Sequence, residues 1–135
     1  MSTTHTTDRT EIADLFARLA ALLDEHRPED AGTVYLDDAV VRSPQRELHG
    51  LDEMIGHLER SRVEGEHTQH VHGDVLVHVD GDHATATANQ LVYVYRTGEA
   101  PHRTSGQRTA VTAVRTPAGW RFGSMHITPA WTRKD

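Results

Sequence analysis

A chain of 135 residues is about one domain's worth and can bury roughly two thirds of its unfolded surface without metals or crosslinks. Its 36% hydrophobic and 25% charged residues exclude a disordered or fibrous chain, and 20 acidic against 14 basic residues, a formal charge of -6, argue against nucleic acid or an anionic membrane surface as partner. The absence of cysteine excludes disulfides and thiolate chemistry, while eleven histidines against two Trp, three Tyr and two Phe are the one unusual count.

No run approaches the roughly 18 apolar residues of a membrane helix, and Met-Ser-Thr-Thr-His-Thr-Thr is not a secretory start. The cytoplasm is therefore the expected location. Residues 1–7 are expected to be a frayed tail, and residues 8–135 a single domain.

Ile12, Leu15, Phe16, Leu19, Leu22 and Leu23 form one apolar stripe at helical spacing. Asp8 and Glu11 are placed as a capping box at its start. Pro28 ends this helix near Arg27 and opens a short second one to Leu36. Ala39 to Val41 reads as a strand stopped at Ser43-Pro44, with Glu47 to His49 as its return arm. Leu51, Met54, Ile55 and Leu58 repeat the helical spacing behind Asp52 and Glu53.

From His67 the period changes to 2. Strands are predicted over Thr68 to Val79, Ala84 to Arg96, Arg103 to Arg115 and Trp120 to Thr128, with Asp80-Gly81 as a hairpin signal. Helices followed by a long meander imply an α+β domain with helices on one face of a curved, mostly antiparallel sheet.

Phosphate loops, nucleophile elbows and His-Glu-x-x-His helices are absent, so a built-in nucleotide or nicotinamide site is not expected. The candidate chemistry rests on titratable side chains. Asp24 sits at the margin of the helical stripe, either a solvated acid or a carboxylate reaching between helix and sheet. His70 and His72 alternate on one strand and share a face. Strict parity puts them opposite Val71, Val75, Val77 and Val79, on the solvent side; a bulge at Gly73-Asp74 would bring them in with the later valines. His67, His70 and His72 also have a metal-binding spacing, but a pair with one neighbour is weak support and no metal is expected. Trp120, Phe122, Ser124 and His126 share a strand parity, as do Asn89, Leu91, Tyr93 and Tyr95. The Ala84, Ala86, Ala88 row opposite the second set suits close packing of a helix or a second subunit.

Several strings together resemble the SnoaL-like branch of the nuclear transport factor 2-like superfamily: Leu22-Leu23-Asp24, Val34 to Val41, His49-Gly50, Thr68-Gln69-His70, Val79 to Ala86, and Gly119 to Phe122. The resemblance spans nearly the whole chain. It implies a cone enclosing an apolar pocket, commonly paired as a homodimer through the sheet's outer face. Within that superfamily the chain is most similar to scytalone dehydratase and the bile acid 7-alpha-dehydratases, which place an Asp on the first helix beside a His on the third strand. Asp24 and His70 fall on those positions, and the resemblance implies the bulge that parity lacks. It also places Tyr35, Ser43, Met54 and His72 around the pocket, with Asn89, His126 and Trp131 completing it. Leu23, a residue near Ser43, and Asn89 stand where scytalone dehydratase has two tyrosines and a second histidine, so its naphthol substrate is not carried over.

An ionised Asp24 accepting from one nitrogen of His70 fixes the tautomer and leaves the other nitrogen free to move a proton. Asn89, Ser43 or Tyr35 would then stabilise an enolate oxygen. The expected function is a cofactor-free dehydratase, cyclase or isomerase acting on a small apolar carbonyl-bearing metabolite, such as a polyketide. The alternative is a non-catalytic ligand-binding or dimerising module of the same fold, with a sealed pocket or with Asp24 and His70 apart.

Overall fold

The computed structural model describes residues 3–135, with side chains from Thr7 onward. Helix α1 (Thr3–Asp24) is followed by a 3-10 turn (Pro28–Thr33), strands β1 (Tyr35–Ser43) and β2 (Arg46–His49), and helix α2 (Gly50–Ser61). Four long strands complete the chain: β3 (Glu66–Asp80), β4 (His83–Arg96), β5 (Arg103–Thr116) and β6 (Gly119–Lys134). They form one six-stranded sheet in the order β2-β1-β6-β5-β4-β3. All neighbours are antiparallel except β1 and β6, which run parallel.

The apolar stripe of α1 is the core. Ile12, Leu15, Phe16, Leu19 and Leu22 are all buried, and Phe16 meets Phe122 edge-on with ring centroids 4.9 Å apart. The Ala84, Ala86, Ala88 row is buried in the same cluster. Its small side chains leave room for the larger ones of α1 and β6 in that cluster, so the row faces the core and not a second subunit.

Several expected boundaries move. Thr3 to Thr7 are helical, in place of the expected tail, because extending a helix costs far less than nucleating one; Met1 and Ser2 lie outside the described residues. Asp8 is thus inside the helix and does not begin a capping box. Its buried carboxylate accepts from Arg115 Nη1 and Nη2 at 2.9 and 2.8 Å and from Trp120 Nε1 at 3.1 Å, a bidentate, charge-assisted arrangement that ties α1 to β5 and β6. The second helix contracts to the 3-10 turn because the chain from Tyr35 pairs with β6 instead. Strand β6 continues past Thr128 to Lys134, paired with β5 throughout. The first long hairpin closes through Gly81-Asp82, with Gly81 at φ 63°, a backbone region that glycine adopts at little cost.

Bulges in β3 and β6 set which of their side chains face inward. In β3 the pairing shifts between Gly73 and Leu76, and Asp74 stands at φ 52°. One extra residue there turns Val75, Val77 and Val79 to the same side as His70 and His72, while Val71 and Leu76 point out. In β6 the extra residues are Gly123, between the partners of Thr112 and Ala113, and Ala130, between the partners of Gly106 and Gln107.

Candidate active site

Helix α1 stops at Asp24 through a Schellman turn. The Arg27 N–H donates to the Leu22 carbonyl at 2.8 Å and the His26 N–H to that of Leu23 at 3.4 Å. His26 takes the left-handed conformation, φ 54°, which histidine tolerates better than most residues. The helix therefore delivers its last side chain against β3. Asp24 Oδ2 accepts from the His70 backbone N–H at 2.8 Å, and Oδ1 accepts from Thr68 Oγ1 at 3.0 Å and His70 Nδ1 at 2.6 Å.

Both side chains are largely removed from solvent, 23% exposed for Asp24 and 12% for His70. Burial alone would raise the Asp24 pKa. The hydrogen bonds from the His70 ring and backbone, the attraction of the ring's charge and the Thr68 hydroxyl outweigh it, and the carboxyl is held below its ordinary value. With Nδ1 engaged by a carboxylate, which only accepts, His70 keeps Nε2 for the cavity.

That cavity has a volume of about 310 Å³. Leu19, Leu22 and Met54 from the helices and Met125 and Ile127 from β6 make its lining chiefly apolar. His70 belongs to one edge strand of the sheet, and Ser43, Arg46 and Leu48 to the strands at the other edge, so the sheet curls until its two edges bound one space. Arg46 and His57 stand together at the rim, with Arg46 Nη1 3.0 Å from His57 Nδ1. Burial, then the charges of Arg46 and Arg60, push the His57 pKa down. A neighbouring hollow of about 380 Å³, lined by Leu22, Leu23 and Leu58 with Glu29, Glu59 and Arg62, does not reach His70; Asp24 lies behind His70 and lines neither space.

Tyr35, Ser43 and Met54 line the cavity as expected from the sequence. The Tyr35 hydroxyl donates to Met125 Sδ at 3.5 Å, and its burial raises its pKa. His72 also points inward but stands behind Gln90, with Nε2 2.9 Å from Gln90 Oε1 and its ring 5.3 Å from that of Phe16. Burial is the main cause lowering its pKa.

Three other candidates lie outside. Asn89 is on the outer face and donates to Asp74 Oδ2 at 3.0 Å, because the inward parity of the alanine row passes to Gln90. His126 is exposed because the bulge at Gly123 reverses the parity that Trp120 and Phe122 begin. Trp131 is 49% exposed and covers Gly106 on the outer face, where an added Cβ would come within 2.4 Å of the indole Nε1. His67, for its part, faces away from His70 and His72 and meets Thr97 Oγ1 at 2.7 Å and the Tyr95 ring, so these three histidines do not converge. Among the described residues no group of three or more His, Asp or Glu side chains forms a metal-binding cluster.

Sequence reasoning missed Gln90, Gln107, Arg46 and His57, all of which line the cavity. Alternation was the available signal for Gln107, which shares the parity of buried Thr109, Val111 and Ala113.

A curled sheet closed by helices over an apolar cavity, with an acid and a histidine bonded at one wall, defines a small α+β cone of the nuclear transport factor 2-like kind. The chain belongs to the SnoaL-like domain family, whose sequence pattern matches residues 4–126. No functionally curated protein matches it significantly in sequence. Among solved structures it is similar to a Kribbella flavida protein at 25% identity and TM-score 0.86, covering 96% of this chain and 95% of that one. A putative scytalone dehydratase from Novosphingobium aromaticivorans gives 19% identity and TM-score 0.87, covering 100% and 92%. A hexachlorocyclohexane dehydrochlorinase, LinA type 2, gives 13% identity and TM-score 0.85, covering 97% and 90%. No helix among the described residues is long and apolar enough to cross a membrane.

Proposed function

We propose that the protein is a cofactor-free acid/base enzyme that removes a proton next to a carbonyl group in a small, largely apolar metabolite, such as a polyketide. The observation that carries this reading is the 2.6 Å bond between Asp24 and His70 at the wall of an apolar cavity. Asp24 holds the ring in one tautomer and balances the imidazolium that forms. His70 Nε2 accepts the carbon-bound proton and returns it to a departing hydroxyl or to another carbon. Dehydration, aldol-type cyclisation and double-bond migration share these steps, and none of them requires a cofactor. Dehydration leads because two structural relatives are named for eliminations, a dehydratase and a dehydrochlorinase.

A non-catalytic binding module predicts a sealed pocket or separated side chains, and the bonded pair beside a cavity rimmed by exposed Arg46 speaks for the enzyme. A cytoplasmic homodimer joined through the outer face belongs to the same proposal. Its support is the apolar surface there, with Leu76 73% and Trp131 49% exposed.

The test is turnover of a panel of β-hydroxy ketones, together with exchange of their α-hydrogens in heavy water. Asp24→Asn and His70→Ala are each expected to lower kcat/KM by about 10²- to 10⁴-fold. Variants that work at the wild-type rate on the true substrate would overturn the proposal.

A further inference from the structure

His72, Gln90 and Gln107 form a row across three strands. Gln90 on β4 is paired directly with His72 on β3 and with Gln107 on β5, and all three side chains face inward. The row is bonded end to end. His72 Nε2 lies 2.9 Å from Gln90 Oε1, and Gln90 Nε2 donates to Gln107 Oε1 at 2.9 Å.

The direction of these bonds is set at the far end of the row. His72 Nδ1 is buried and has no hydrogen-bond partner among the described residues. A neutral imidazole carries one N–H and one bare nitrogen, and burial favours that neutral form here. Were the N–H on Nδ1, a donor would be buried with nothing to accept it, an arrangement that folded proteins almost never keep. The proton therefore belongs on Nε2, where Gln90 Oε1 accepts it. Gln90 is left with its NH2 to give, and Gln107 must receive it on Oε1. The free end of the row is then the Gln107 NH2 group. It has no partner among the described residues, it is not among the buried atoms that lack one, and Gln107 lines the cavity.

We infer that Gln107 supplies the hydrogen-bond donor that meets the substrate's carbonyl oxygen, and that His72 is a positioning residue that fixes this polarity through Gln90. The inference rests on the carbonyl-bearing substrate proposed above, and assigns to β5 the role for which the sequence offered Asn89, Ser43 or Tyr35. Strands about 4.8 Å apart place β3 and β5 about 10 Å from each other. A substrate lying between His70 and Gln107 would present its acidic carbon to one strand and its oxygen to the other. Negative charge developing on that oxygen would meet a donor already oriented by the protein, which costs no reorganisation during the reaction. With the relay reversed, an amide oxygen would face the enolate and repel it.

Two measurements test this. Nitrogen NMR of histidine-labelled protein is expected to show His72 as the Nε2–H tautomer, and an Nδ1–H tautomer would overturn the relay. Infrared difference spectra of 1-indanone labelled with carbon-13 at its carbonyl are expected to show the C=O band lowered on binding. That lowering should vanish in Gln107→Met and in His72→Leu but persist in His72→Gln, whose amide keeps a donor near the position of Nε2. A band that does not move on the wild-type protein, or a shift that survives Gln107→Met, would overturn the donor assignment. In His70→Ala the shift is expected to remain, so failure of the acid/base reading is distinguishable from failure of this one. Against a turned-over ketone, Gln107→Met is expected to lower kcat by about 10²- to 10³-fold, as for loss of one oxyanion donor, with a smaller change in KM.

Discussion

Strands β3 and β6 each carry an extra residue near an inward-facing histidine or aromatic row, with opposite results. In β3 the insertion around Asp74 reconciles two patterns that simple alternation sets against each other, so His70 and His72 share the interior with Val75, Val77 and Val79. In β6 the insertion at Gly123 separates His126 from the buried Trp120 and Phe122 and hands the inward parity to Met125 and Ile127. A histidine's worth to this protein is thus decided by bulges several residues away. Its abundance in the sequence carries little information by comparison.

The most severe challenge to this contrast between strands is removal of the β3 bulge. Deleting Asp74 forces a choice between the histidines and the three partly buried valines, whose burial, worth up to roughly 1.5 kcal/mol per side chain, is lost on one outcome together with the strand pairing around it. A loss of about 5 kcal/mol, the lower end of a domain's whole margin, is expected as a melting transition that broadens or disappears. Next in size, Trp120→Ala removes the buried indole that β6 sends inward and its bond to Asp8. A drop of about 3 to 5 kcal/mol in urea unfolding is expected.

Acidity probes the inner pair without a change of fold. The folded pKa of Asp24 is depressed from a usual value near 3.8. Its contribution is therefore fully present above that value and is lost as pH falls through it toward the folded pKa. The stability gap between wild type and Asp24→Asn should narrow in that window. His72 is depressed from a usual 6.5, so the unfolded chain takes up its proton first and stability declines as pH falls below 6.5. His72→Gln should show a shallower decline in melting temperature between pH 7 and pH 5. The mildest change is His126→Ala, on the exposed side of the β6 bulge, which is expected to alter stability by no more than about 0.5 kcal/mol and to leave turnover intact.

Much of the fold was legible because it depends on patterns that repeat. The stripe from Ile12 to Leu22 predicts the face of α1 that is buried, and the change to alternation at His67 marks the start of the long strands. Asp24 and His70 stand out singly, at the margin of the helical stripe and in the strand alternation, but only the resemblance pairs them, since nothing in their spacing brings them together. What alternation misplaces are single-residue events. Gly123 and Ala130 look like ordinary strand residues, yet each reverses the facing of the side chains after it. Asn89 and Gln90 are both amides, and only the decision that the alanine row faces α1 selects Gln90. Asp8 is a good cap by type, yet Arg115 lies 107 positions away and offers a bidentate partner that no local pattern contains.

The place of Asp24 as the last residue of α1 has an electrical consequence. The aligned peptide dipoles of a helix sum to about half a negative charge at its carboxyl end, and here that end carries a full carboxylate as well. A proton arriving on His70 would enter a region made negative by the helix backbone together with one side chain. Asp24→Asn would remove the carboxylate's charge and leave the helix contribution in place. The 22-residue helix that fills the core is, at its tip, a counter-ion.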